Sequence, residues 1–540
     1  MTTQKTIGIS RFFHKIISRI HWKELIILIS IFGGSLMIRW IGLKHGFPLL
    51  TQADEDWIMD PLVRMTTDKT LFSGNFNRPG MILYKILLIY LNMISRLSYG
   101  KNLAEAFDNH YLNFYFFARI LISVLGSLIP VIAYKIGKLF KQSYAIPAAL
   151  VFAFFPSYVM HSLYITNDIS LTFFSLLVIY FSLRYLILAD KKSIYIAVVF
   201  AALATAEKYP GIISLGIILS VILIEGLKKS DQSIKTRIIN SFVPIIRTLI
   251  VFLFALLIVA PRLFFQFPEV INSLIFESRS THLGADNLGW MGNLTYYLNA
   301  FGDWTNLFTL LWIALGVFTL IKEKEKAGWI LIYGAIYCVL LSTLPLHWER
   351  WALPMYITPL FLNAVGIAFL WQKTKKIRII NAFTGTLIIG FLLYQFIFTL
   401  QIPIRMSFLD TRVKALDYSN ENGITINNTY YEGYTPYLPQ KPATIFDIDL
   451  TEQTERNFLI LSSKMFDRYY NEPERYQNQI AFYNSVRLNQ TSLIKFLPEP
   501  EPDTVMDRLD DIVYYFNRNF DLTREERLRG PVIEIYQITN

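Results

Sequence analysis

Long apolar runs, each interrupted by a short polar or basic stretch, recur from residue 25 to about residue 400. At 1.5 Å per helical residue, about 20 apolar residues cross a bilayer core, so the pattern predicts a polytopic bundle of transmembrane helices. The spans read as 25–41, 111–134, 143–160, 169–188, 193–207, 210–226, 241–261, 304–321, 328–345, 351–371 and 379–399, about 11 in all. Beyond residue 401 these runs stop. Short runs at Ala443–Ile448, Phe458–Ser462, Leu493–Leu497 and Val532–Ile538 predict strands, and Thr504–Asn517 is patterned as a helix. The chain therefore divides into a basic N-terminal segment (1–24), a transmembrane domain (25–401) and a small α/β domain (402–540).

Charge orients the bundle. Lys and Arg cluster before residue 25 and at Lys135/Lys138/Lys141, Lys191/Lys192, Lys228/Lys229/Lys235/Arg237, Lys322/Lys324/Lys326 and Lys373/Lys375/Lys376/Arg378. With eleven spans every cluster falls on one side, which the positive-inside rule makes cytoplasmic. The stretch Met81–Tyr99 is long enough to span, but counting it would put Lys135–Lys141 on the other face. It is read as a helix lying at the outer surface. The expectation is a multi-pass protein of the inner (plasma) membrane, with a cytoplasmic N-terminus and an extracytoplasmic C-terminal domain. The basic stretch Arg11–Lys23, with no small-residue cleavage site after the apolar run, argues against a cleavable signal peptide.

Composition changes little in this picture. Of 540 residues, 53% are hydrophobic, which excludes an ordinary soluble domain. The net charge of +10 reports topology and contact with anionic lipid, not nucleic acid. The single cysteine, Cys338, lies in a span and forms no internal disulfide.

On the outer face the polar residues stand out. Asp54, Glu55 and Asp56 follow the first span, where carboxylates rarely sit without a task. A solvated loop is the plain alternative. Asn167 and Asp168 join two spans, where Asp168 also suits a helix cap. Arg78 lies in Asn77-Arg78-Pro79, with interfacial snorkelling as its ordinary account. Lys208 runs against the charge rule, and Glu207 is its obvious structural partner. Arg262, Glu277, Arg279 and His282 share a later loop, and His347-Trp-Glu-Arg-Trp351 a last one, with helix anchoring as its plain reading. Each has a bland explanation alone; together they do not. Carboxylates suit proton abstraction from a hydroxyl or amine nucleophile, and neighbouring cations suit a phosphate leaving group. Away from cytoplasmic nucleotides, that phosphate belongs on a lipid. No Gly-rich phosphate loop, zinc motif or nucleophile elbow points elsewhere.

These residues resemble the GT-C integral-membrane glycosyltransferases, the group of the protein O-mannosyltransferases and lipid A aminoarabinose transferases (bacterial glycosyltransferase family 39-like). The resemblance rests on Asp54-Glu55, on Asn77-Arg78-Pro79, on Ala118-Arg119 opening the next span, and on Pro156–Tyr164 leading to Asp168. It extends to Ala204-Thr-Ala-Glu-Lys208-Tyr-Pro-Gly211 and Arg350-Trp-Ala-Leu-Pro354, and covers residues 25 to 370. It implies inverting transfer of a sugar from a polyprenyl-phosphate donor to a lipid, glycan or protein acceptor. By this likeness Asp54 is the base or orients the acceptor, with Glu55 and Asp168 supporting it and Asp56 behind them. Arg78 and Lys208 hold the lipid phosphate, with Arg279, His282 and Arg350 around the same cavity. A tight Glu207–Lys208 pair would weaken the role of Lys208. The oligosaccharyltransferase branch uses a divalent cation, whereas the mannosyl and aminoarabinosyl branches imply no metal and no other cofactor, which is the expectation here. The rival reading is a transporter or flippase of lipid-linked glycans. It requires inverted repeats with broken mid-membrane helices, which the sequence does not show. A scaffold whose outer domain binds a partner leaves the acids without a purpose.

Overall fold

The computed structural model describes residues 22–227, 233–285, 288–323, 328, 332–437, 445–448, 456–518 and 525–538. The N-terminal segment up to residue 21, Lys228, Lys229, Lys324, Lys326 and the first residues of the Ala443–Ile448 run lie outside them.

Each predicted span coincides with a helix. The run opens with Trp22–Trp40, Leu103–Phe140, the broken pair Ala145–Ala153 and Pro156–His161, Asp168–Leu188, Lys191–Glu207 and Ile213–Leu227. It continues with Ile234–Val259, Leu307–Lys322, Ile332–Ser342, Ile357–Thr374 and Arg378–Met406. By length and composition alone the number of crossings is smaller than the eleven expected. Seven described helices qualify, Met81–Tyr99 among them, or eight if Gly289–Asp303 and Leu307–Lys322, bent by 107°, form one span. Lipid contact is written on the surface. Ile234–Val259 exposes Phe242, Ile246, Ile250, Phe254 and Ile258, an apolar stripe with no cover among the described residues.

Charge pairs mark the two ends of the bundle. Glu24 receives Lys135 Nζ and Lys138 Nζ, each at 2.7 Å, and Lys141 Nζ reaches Glu323 at 2.5 Å. The acids and bases singled out above gather at the opposite end. Met81–Tyr99 is tied to that opposite end at both of its termini. Leu83 N–H donates to Glu207 Oε2 at 3.0 Å, and the Tyr99 ring stacks on His110 at 4.0 Å. His110 stands 25 residues before Lys135, about 38 Å along the helix, so this helix does not descend to the Lys135 end.

A close crossing in the bundle joins Leu307–Lys322 to Ile357–Thr374. A Cβ at Gly366 would strike the Trp312 carbonyl and one at Gly316 the Leu362 carbonyl. Only glycine lets two backbones approach so closely.

After Met406 the chain forms a small α/β unit. A four-stranded sheet runs Thr429–Tyr431, Phe458–Ser462, Ile533–Gln537, Thr491–Phe496 in spatial order, parallel in the first pair and antiparallel in the other two. Val505–Asn517 is a helix opened by a Thr504–Asp507 capping box. The run at Ala443–Ile448 is no strand in its described part, which is a 3-10 turn at Ile445–Asp447. The helices Ser463–Tyr470 and Gln477–Asn489 occupy the polar stretch between two strand runs, and Thr411–Glu421 precedes the first run.

Candidate active site

The loop after the first helix turns into Asp56–Thr67, and three neighbouring acids leave it in three directions. Asp54 faces a cavity of 470 Å³. Glu55 is fully buried behind it, its carboxylate gripped by Arg119 Nε at 2.9 Å and Nη2 at 2.6 Å, and it accepts Ile165 N–H at 3.1 Å. Asp56 accepts the Tyr115 hydroxyl at 2.6 Å, and burial pushes its carboxyl above its ordinary pKa. Glu55, expected among the catalytic acids, is therefore displaced from the reaction chamber. Both its oxygens are committed to a buried guanidinium, which leaves none for a substrate.

The cavity joins elements far apart in sequence. Arg78 arrives on a turn built by Asn75, whose Oδ1 accepts the N–H groups of Asn77 and Arg78 at 3.0 and 3.2 Å. Its Nη1 meets Asp54 Oδ1 at 2.5 Å, and burial lowers its pKa. Arg350 takes the other oxygen of Asp54. One carboxylate is thus held between two guanidiniums, an arrangement preformed for a second, larger anion.

Lys208 closes the opposite wall. Its Nζ donates to Asp168 Oδ1 at 2.6 Å, and not to Glu207. The chain leaves the helix at Lys208 (φ −156°), so adjacent side chains part. Glu207 turns inward as a structural knot, accepting from Leu83 N–H at 3.0 Å and Ser170 Oγ at 2.5 Å, while its carbonyl takes Gly80 N–H and the Asn167 amide. The expected Glu207–Lys208 pair is therefore absent, and so is its objection to Lys208. Asp168 is also not the helix cap. Asn167 holds that position without a side-chain capping bond, leaving Asp168 for Lys208.

Arg279 and His282 line the same cavity, Arg279 with Glu277 at 3.7 Å and His282 edge-on to Trp348 at 5.1 Å. Every predicted site residue except Glu55 faces this one chamber. Three tryptophans also stand beside its cations, Trp57 not singled out from the sequence and Trp348 and Trp351 read there only as part of the box around Arg350. Arg78 lies over Trp57 at 5.1 Å, Lys208 near Trp351 at 5.5 Å and Arg350 near Trp348 at 5.8 Å, each cation resting on a ring face. A tryptophan directly after the acid triplet, and two flanking Arg350, were the available signals. Among the described residues no group of three His, Cys, Asp or Glu side chains is arranged to hold a metal ion.

The family profile described as Dolichyl-phosphate-mannose-protein mannosyltransferase matches residues 90–276. Crystal structures of ArnT from Cupriavidus metallidurans, one bound to undecaprenyl phosphate and one in the apo state, align at 14% and 13% identity. The first alignment covers 75% of this chain and 74% of that one with a TM-score of 0.45; the second covers 74% and 72% with a TM-score of 0.46. No curated protein matches the chain. The segment similar to this family carries Arg119, the Asn167–Asp168 turn and Glu207–Lys208.

Proposed function

We propose that the protein transfers a sugar from a polyprenyl-phosphate donor to a hydroxyl acceptor at the outer face of the plasma membrane, by one inverting displacement. The observation that carries this reading is Asp54 bracketed by Arg78 and Arg350, in one chamber with the Asp168–Lys208 pair. The matched family is itself named for a polyprenyl-phosphate sugar.

The chemistry follows from competition for the guanidiniums. The donor's phosphodiester presents two anionic oxygens to Arg78 and Arg350 in place of the Asp54 carboxylate, and the departing phosphate gains charge and a third terminal oxygen as the bond to the sugar breaks, so the guanidiniums hold it most strongly then. Asp54 is thereby released as the donor binds, which makes donor-first binding the productive order. The acceptor oxygen attacks the anomeric carbon while its proton passes to Asp54. The bond from that carbon to the phosphate oxygen breaks, and the electron pair leaves on the phosphate, stabilised by Arg78, Arg350 and Lys208. Asp168 fixes Lys208 for this task. Arg279 and His282 border the departing headgroup. No metal or cofactor takes part.

The reading is tested with purified protein and a panel of polyprenyl-phosphate sugars. It expects free polyprenyl phosphate and a glycoside of inverted anomeric configuration. Retained configuration, or a covalent sugar–enzyme intermediate, contradicts the single displacement. Donor moved across a vesicle membrane without cleavage supports a flippase instead.

A further inference from the structure

A second and larger groove, 920 Å³ in volume, adjoins the catalytic chamber. It runs between the first loop, residues 64 to 77, and the helices Arg262–Phe265 and Phe267–Glu277. The two spaces share Trp57, Asn75 and Asn77, so an occupant of one borders the other there. Its volume lies in the range of roughly 300–1,000 Å³ typical of small-molecule sites.

The lining differs in kind from that of the chamber. There, Arg78, Lys208, Arg279 and Arg350 face Asp54, Asp168 and Glu277, leaving an excess of positive charge suited to phosphate. In the groove, Arg64 and Arg262 are matched by Asp68 and Glu269, so the formal charges cancel. The rest are amides, hydroxyls and rings. Asn77, Asn272 and Ser273 line it with side chains that make no hydrogen bond among the described residues. Trp57 is 55% exposed and stands at the junction. Phe72 and Phe76 pack at 4.9 Å along the wall. Amides and hydroxyls that both donate and accept, beside the half-exposed Trp57 ring, match a ligand with many hydroxyls and apolar C–H groups. A phosphorylated ligand would find no net charge to hold it.

Resting on the transfer reaction above, we propose that this groove binds the non-reacting sugar units of a neutral carbohydrate acceptor, whose terminal hydroxyl enters the chamber between Trp57 and Asn77. The acceptor is then a glycan and not a protein or a phosphorylated lipid. Trp57 serves both spaces, its ring beneath Arg78 and its edge toward the acceptor.

The test uses the full chain in bilayer nanodiscs with Ser273→Cys, since the one native cysteine, Cys338, is buried. Donor cleavage to water and sugar transfer are measured before and after labelling with a bulky maleimide. The acceptors supplied are neutral oligosaccharides, a Ser/Thr-rich peptide, or vesicles of phosphorylated glycolipid. The proposal expects transfer to the oligosaccharides, a ratio of transfer to donor cleavage that falls at least tenfold on labelling, and protection from labelling by the oligosaccharides. Transfer to the peptide or the phosphorylated glycolipid instead, or a ratio unmoved by the label, overturns it. Donor cleavage lost together with transfer overturns it too, by assigning the groove to the donor. A wild type that cleaves no donor at all refutes the glycosyl-transfer reading itself, and this inference with it.

Discussion

Glu55→Gln separates structure from chemistry inside the acid triplet. Glu55 and Arg119 are both fully buried and joined by two hydrogen bonds, at 2.9 and 2.6 Å. Two further bonds from Arg119 Nη1 reach the carbonyls of Leu43 and His45, so this pair clamps the first loop to the bundle. Replacing the carboxylate with a neutral amide leaves a guanidinium in the interior without its counter-charge, a loss of about 3–5 kcal/mol for a broken buried pair. At roughly 2–4 °C per kcal/mol for units of this kind, the unfolding midpoint falls by about 10 °C. Unfolding is followed by tryptophan fluorescence in detergent, and donor cleavage is normalised to folded protein well below the transition. The account expects a large thermal loss and cleavage within a few-fold of wild type. The double substitution Glu55→Met with Arg119→Met recovers part of the stability, because it removes both charges together. A Glu55→Gln protein that melts like wild type yet has lost cleavage a hundredfold refutes the structural assignment.

Arg78→Ala and Arg350→Ala each weaken binding of polyprenyl phosphate by about tenfold or more, the loss of one charge-assisted pair, as read by titration against tryptophan fluorescence. In the C-terminal unit, Glu432 is buried against the Tyr483 hydroxyl at 2.7 Å, and burial, opposed by hydrogen bonds from Ser462 N–H and Tyr483, pushes its carboxyl up to about 8. Its folded pKa lies above the unfolded one, so its stabilisation is complete below about 4.5 and is lost as pH rises through 8. Glu432→Gln flattens that part of the pH–stability profile, and an unchanged slope rejects the assignment. Treatment with EDTA leaves the transfer rate unaltered; a loss restored by added divalent cation identifies a metal requirement.

The gathering of charge on one face was legible because the positive-inside pattern fixes sidedness, which carries Asp54, Arg78, Asp168, Lys208 and Arg350 to the same end without any contact being known. The fate of single residues was not. Asp54 lies in the turn, Glu55 caps the helix and Asp56 opens it, so the three side chains reach a cavity, a buried arginine and a tyrosine from adjacent places in the chain. Nothing in their order says which is which. Adjacency misled in the opposite sense at Glu207 and Lys208, where the helix ends between them and extended backbone sends the two side chains apart. The second groove was invisible for another reason. Its walls, residues 57–77 and 262–273, are separated by almost two hundred positions, and no local pattern encodes their meeting. In the C-terminal unit, the central strand Phe458–Ser462 could be read from its apolar run, whereas the three residues of Thr429–Tyr431 are too few to show a period.

The central claim is that Asp54 accepts the proton of the attacking hydroxyl, and single-turnover transfer by Asp54→Asn measures it most directly. With donor binding titrated in parallel, the account predicts undiminished affinity for polyprenyl phosphate, since Arg78 and Arg350 are left free to hold it. The transfer rate then falls by about 10²–10⁴, the usual share of a general base. Transfer at the wild-type rate, with donor bound normally, contradicts the assignment of Asp54.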